Sequence, residues 1–186
     1  MIGRVLGLIL VFALSPGYAQ TSSSQITKTA ALKNVRVSSL PGWFELVSDE
    51  NKFRVLFPAK PKIDDDVISM KGFKVANASG KWAAFCSDLG RTAPDDEPAL
   101  RNLYQQSIDS MTRNKTYLLA SGDVFLNGRL GIDFRVRGLS HTSYTRAFAV
   151  GRRLYILSVE QKKTPNSEPD TPLEVQQFFD SFAYWD

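Results

Sequence analysis

The chain has 186 residues, with 23 Lys and Arg against 19 Asp and Glu, one histidine and one cysteine. A formal charge of +4 is too mild for a nucleic-acid binder, so no partner of that kind is expected. The lone Cys86 excludes an intramolecular disulfide, and the length suits one domain that buries a core without staples.

Residues 1–19 read as a secretory signal peptide. Arg4 supplies the positive head, residues 5–14 form an apolar run too short to span a bilayer, and Ser15-Pro16 breaks it. The small residues Gly17 and Ala19 place cleavage between Ala19 and Gln20. No cysteine follows the apolar run, so no lipid anchor is expected. The expected product is exported, periplasmic or extracellular, with no stable membrane anchor after cleavage. Loss of Arg4 leaves 22 basic against 19 acidic residues. Residues 20–40 read as a flexible leader in which Val35-Arg36-Val37 adds a short edge strand. Pro41-Gly42 opens a single domain covering residues 41–186.

Residues 43–47 alternate as a first strand, and residues 48–51 turn the chain. Phe53, Val55 and Phe57 then share one face of a second strand that Pro58 ends, completing a hairpin. Residues 61–66 read as a polar connection, and residues 67–70 and 73–78 as two short strands around Lys71-Gly72. Residues 81–89 form another strand, with Cys86 as a buried, inert thiol. From Pro98 to Lys115, Leu100, Leu103, Tyr104, Ile108 and Met111 recur at helical spacing. Asp95, Asp96 and Glu97 suit the positive end of that helix.

Residues 117–159 read as a four-stranded meander. Asn127-Gly128 predicts a type I′ hairpin, and Gly151-Arg152 divides the last two strands in the same way. Residues 154–159 are almost continuously apolar, as in a strand covered on both faces. A loop over residues 138–142 pairs Arg137 with Ser143 and Phe134 with Arg146, while the turn at Gly151 pairs Phe148 with Tyr155. This register puts Ile132, Phe134, Val136, Tyr144, Phe148, Tyr155 and Leu157 on one face, with Arg146 among them. Ala147, Ala149, Leu154 and Ile156 make a shallow floor on the other. Both faces call for a covering layer. After a polar stretch over residues 161–170, Thr171-Pro172-Leu173-Glu174 matches a capping box for a second helix carrying Val175, Phe178, Phe179 and Phe182.

The order of these features resembles the PsbP-like family. The resemblance rests on the Phe-x-Val-x-Phe-Pro strand at Phe53 to Pro58, the central helix, the strand ending in Asn127-Gly128, Arg146 two strands later, and Asp180-Ser181-Phe182 near the end. It spans Trp43 to Trp185 and implies an α+β fold, a mainly antiparallel sheet covered by helices in an α/β/α sandwich. It brings no catalytic residue set.

His141 beside Ser140 suggests a hydrolase base, yet no Gly-x-Ser-x-Gly elbow is present, and one His with one distant Cys gives no metal-ligand spacing. Asp64-Asp65-Asp66 and Asp95-Asp96-Glu97 lack the spaced ligands and glycine of a calcium loop. No metal and no cofactor are expected. The sharpest candidates are Arg135, Arg137, Arg146 and Arg152, within a meander that also holds Arg129 and Arg153. Clustered guanidiniums suit a carboxylate, a phosphate or an acidic partner surface. The expected function is an exported, non-enzymatic binding domain for a protein or other component of the cell envelope. The alternatives are a small anionic ligand at the arginines and, behind it, a small hydrolase using His141.

Overall fold

The computed structural model describes residues 35–64, 70–112, 116–162 and 171–185. The expected signal peptide, its expected cleavage point at Ala19 and Gln20, and residues 20–34 of the expected leader lie outside them. So do Asp65, Asp66, residues 67–69, Arg113, Lys115 and residues 163–170.

Eleven strands and two helices are described: β1 (Val35–Val37), β2 (Phe44–Ser48), β3 (Phe53–Phe57), β4 (Lys62–Asp64), β5 (Met70–Ala76), β6 (Lys81–Asp88), α1 (Glu97–Thr112), β7 (Tyr117–Leu126), β8 (Arg129–Arg137), β9 (His141–Val150), β10 (Arg153–Lys162), α2 (Leu173–Asp180) and β11 (Ala183–Tyr184). They form a four-stranded sheet, β1-β2-β3-β11, and a seven-stranded sheet, β4-β5-β6-β10-β9-β8-β7. Every pairing is antiparallel. The central β10 is buried on both faces over Leu154–Leu157, as its apolar run requires.

The two faces of the large sheet are covered differently. One meets the small sheet and α2 in an aromatic core that includes Phe53, Phe57, Trp82, Phe148, Tyr155 and Phe178. The other meets α1, whose Leu100, Leu103 and Tyr104 lie on Ala147, Ala149, Leu154 and Ile156. The shallow floor therefore seats a helix, as its small side chains allow. Cys86 is buried on the aromatic side. Asn127 and Gly128 both take positive φ, 52° and 75°, as a type I′ turn demands. At the β9–β10 hairpin only Gly151 does so, at 54°, so the two turns differ in type.

Four local expectations are corrected. Lys71-Gly72 is no turn: both residues lie inside β5, which pairs continuously with β6 from Met70 to Ala76. The supposed connection over residues 61–66 instead contains β4, paired to β5. The capping box does not form. Pro172 occupies the N-cap with extended ψ of 144° and no side-chain cap, while Gln176 Nε2 reaches back to the Thr171 carbonyl at 2.8 Å. Proline holds the extended conformation of the cap position itself, which starts the helix one residue later.

The fourth correction concerns register. The β9–β10 pairing is the one expected, with Phe148 opposite Tyr155 and Arg146 opposite Leu157. The β8–β9 pairing is shifted by one: Arg137 faces Thr142, Phe134 faces Thr145, and Asp133 faces Arg146. The loop is one residue shorter than expected, closed by Gly138 N–H donating to the His141 carbonyl at 2.9 Å. Because side chains alternate with period two, that single residue moves Ile132, Phe134 and Val136 to the helix face, where Ile108 packs on them.

The α1 face contains a structural hydroxyl. Direct pairing of β8 with β9 stops at Gly131 opposite Phe148. Just beyond it, Tyr104 donates to the Leu130 carbonyl and accepts from Ala149 N–H, both at 2.9 Å. The phenol thus replaces a ladder bond between buried backbone groups. Tyr104→Phe leaves both groups unpaired and is expected to cost about 2 kcal/mol by urea unfolding. Burial, only partly offset by the Ala149 N–H, raises the Tyr104 pKa above that of an ordinary phenol. The neutral form is the stabilising one, so its contribution is complete below the unfolded-state pKa of about 10 and is lost as pH rises from there. The stability gap between wild type and Tyr104→Phe should therefore narrow above that pH; a constant gap contradicts the assignment.

Candidate functional site: the arginine face of the large sheet

Alternation along β8 sets Gly131, Asp133, Arg135 and Arg137 on the aromatic side of the sheet, opposite Phe148, Arg146, Tyr144 and Thr142 of β9. Arg135, Arg137 and Arg146 are thereby gathered on one face. Arg152 is not: it stands in the β9–β10 turn at the opposite end, mostly exposed, with Asp88 Oδ2 at 3.5 Å.

Arg146 is consumed by the fold. Its Nε and Nη2 grip both oxygens of Asp133, at 2.7 and 2.8 Å, and Nη1 reaches Asp180 at 3.0 Å. Its guanidinium lies 5.0 Å from the Phe179 ring centroid, and the side chain is only 15% exposed. Burial works against its charge, but Asp133 and then Asp180 outweigh it, and its pKa stands above the ordinary arginine value. The acids themselves are more open, at 38% and 71%. The sheet row thus clamps the C-terminal end of α2. Asp133→Ala strips the bidentate partner from a largely buried cation and is expected to cost about 1–3 kcal/mol by chemical denaturation, whereas Arg152→Ala should change stability by less than about 0.5 kcal/mol. Equal effects would refute the clamp.

The motif Asp180-Ser181-Phe182 is structural at each position. Asp180 holds Arg146. Ser181 Oγ accepts from Leu56 N–H at 2.9 Å and donates to the Phe178 carbonyl at 2.7 Å. Phe182 stacks on Phe148 with centroids 5.9 Å apart.

Other charged groups flagged in the sequence are likewise engaged. Arg129 donates to the Ala149 and Pro94 carbonyls and pairs with Asp95 at 2.9 Å. Asp96 accepts from Ala99 N–H at the start of α1, and Glu97 pairs with Arg101. Each acid of that run serves a separate structural contact. Among the described residues no group of three or more His, Cys, Asp or Glu side chains could hold a metal. His141 Nδ1 is 3.5 Å from Ser140 Oγ, at the outer limit for a hydrogen bond, and its ring lies against Gly138.

Arg135 and Arg137 differ from all of these. Neither makes an ion pair among the described residues, and the Nε of each is buried without a hydrogen-bond partner there. Arg135 lies over the Tyr144 ring, 6.0 Å from its centroid. Both arginines stand out in the sequence, but nothing local separates them from Arg146, because the distinction depends on which acid each meets across the strands.

The chain has the PsbP-like fold. No family model and no curated protein matches it. Among solved structures, the cyanobacterial PsbP protein CyanoP from Synechocystis sp. PCC 6803 superposes with a TM-score of 0.55 at 8% identity, over 80% of this chain and 97% of that one. The Saccharomyces cerevisiae Ran-binding protein Mog1p matches at a TM-score of 0.48 and 9% identity, over 75% of this chain and 94% of its own. A protein of unknown function from Pseudomonas aeruginosa gives 0.38 and 13%, over 63% and 81%. At such identities the likeness to CyanoP is one of fold.

Proposed function

We propose that the protein is an exported, non-enzymatic binding domain that recognises a protein partner in the cell envelope by adding an extended partner segment to β7. The observation behind this reading is the character of that strand. β7 closes one end of the seven-stranded sheet and runs for ten residues, most of them exposed. Tyr117, Leu118 and Phe125 are 69%, 43% and 64% exposed. Its one charged residue, Asp123, is held by Arg101 Nη1 at 2.6 Å. Edge strands are ordinarily kept short or blocked by lysine or proline. The other terminal strands follow that rule, since β1, β4 and β11 have two or three residues each. β7 has neither lysine nor proline, and past the register shift at Leu118/Ala120 it offers a regular edge over residues 120–126. An extended segment docking there would gain main-chain hydrogen bonds along the edge and apolar contact with Phe125.

Export is supported by the charged head, short apolar run and small residues of positions 1–19. N-terminal sequencing of the protein from fractionated cells should begin at Gln20, with the protein absent from the cytoplasm. For recognition, a photo-cross-linker at position 125 should give one reproducible adduct with an envelope protein, lost when Ala120, inside the regular edge, is replaced by Lys. No adduct, or one indifferent to Ala120→Lys, removes the reading.

A further inference from the structure

Independently of β7, the geometry points to a binding site for a phosphate-class dianion at Arg135 and Arg137. The four side chains Arg135, Arg137, Thr142 and Tyr144 form a two-by-two block on one sheet face, with Arg135 directly opposite Tyr144 and Arg137 directly opposite Thr142. Same-face positions on a strand are about 6.6 Å apart and cross-strand pairs about 5 Å, so one tetrahedral anion lies within reach of all four. Every polar group in the block can donate a hydrogen bond, and none carries negative charge. Among the described residues the Thr142 and Tyr144 hydroxyls make no hydrogen bond, and neither guanidinium is paired with an acid.

The neighbouring acid does not neutralise the block. Asp133, two residues before Arg135, has both oxygens committed to Arg146. Arg101, Arg129 and Arg146 each meet at least one carboxylate within 3.0 Å. Two adjacent positive charges are therefore left without a carboxylate partner among the described residues. The Tyr144 ring lies under the Arg135 guanidinium, so that side chain loses less freedom on binding than a fully exposed arginine would. A charge of +2 with two hydroxyl donors on the same face matches a phosphate monoester or free phosphate better than a single carboxylate.

The test uses the mature protein and two probes. Inorganic phosphate should raise the melting temperature by about 3–6 °C at tenfold excess over its dissociation constant, saturably and beyond sodium chloride at equal ionic strength. The shift should vanish in Arg135→Gln/Arg137→Gln and persist in Arg152→Gln. Should the double variant not fold, Thr142→Val and Arg137→Lys, each followed by equilibrium dialysis of labelled phosphate, serve in its place, with at least a tenfold loss of affinity expected. Co-sedimentation with vesicles of phosphatidic acid in phosphatidylcholine separates the sources. Vesicle binding that phosphate competes away and the arginine substitutions abolish assigns a lipid headgroup; phosphate binding without vesicle binding assigns a soluble ester. A shift matched by sodium chloride, binding that survives the substitutions, or vesicle binding indifferent to phosphate overturns the proposal. None of these outcomes bears on cross-linking at β7, so the two readings fail separately.

Discussion

Replacing Phe178 by alanine should lower stability by about 3–5 kcal/mol, the cost of deleting a fully buried aromatic ring that its surroundings cannot collapse to fill. Phe178 has no exposed surface and lies at the junction of three elements. Its ring is 5.3 Å from Phe57 of the small sheet and 5.5 Å, edge-on, from Trp82 of the large one. Helix α2 has only eight residues and no side-chain cap at its start. A helix of that length is not stable by propensity, so its side-chain packing decides whether it forms. Loss of the ring should also loosen the Arg146 clamp, because Asp180 sits two residues further along the same helix. Urea titration followed by tryptophan fluorescence measures the effect, with a lower midpoint and an unchanged slope. Leu173→Ala, at an exposed position of the same helix, is the control and should change stability by less than about 0.5 kcal/mol. A Phe178→Ala loss below about 1 kcal/mol would mean that α2 is not anchored by this ring.

Gly131→Ala should cost roughly 3 kcal/mol, at the upper end for forced overpacking. A Cβ at residue 131 would lie 2.4 Å from Phe148 Cδ1 and 2.6 Å from the Ala147 carbonyl oxygen. Neither can yield cheaply. The carbonyl belongs to the β9 backbone, and Phe148 is 1% exposed and stacked on Phe182. The glycine is needed because the ring lies across the backbone of β8, where any side chain would occupy the same space. A double-mutant cycle separates this clash from a general loss of strand propensity. With Phe148→Leu in the background, Gly131→Ala should cost at least about 1 kcal/mol less than alone. Strict additivity would show that the ring is not the obstacle.

Legibility followed the range of the interactions. The Phe53, Val55, Phe57 alternation, the stripe of α1 and the Asn127-Gly128 turn depend on neighbours within a few residues, and they stand where the sequence puts them. The Lys71-Gly72 turn failed because a glycine between apolar stretches reads locally as a break, whereas pairing to β6 on one side and β4 on the other keeps β5 extended. The capping box failed at a distance of one residue, since proline can serve either as the cap or as the first helical position. The candidate site was legible only as a set of arginines. Their separation into a clamp at Arg146, an exposed ion pair at Arg152 and an unneutralised pair at Arg135 and Arg137 appears only across strands.

The sequence alone determined that Arg146 lies on the aromatic side of the sheet, because the β9–β10 hairpin is short and its turn fixes the register. Only the tertiary structure decided what Arg146 meets there. The loop from β8 to β9 is one residue shorter than composition suggests, and that residue exchanges Phe134 for Asp133 as its partner. The same exchange delivers Phe134 and Val136 to α1 and leaves Arg135 and Arg137 side by side on the opposite face. The physical reason is the two-residue period of a strand. It makes the faces of β8 all-or-none in a loop length that local sequence does not specify.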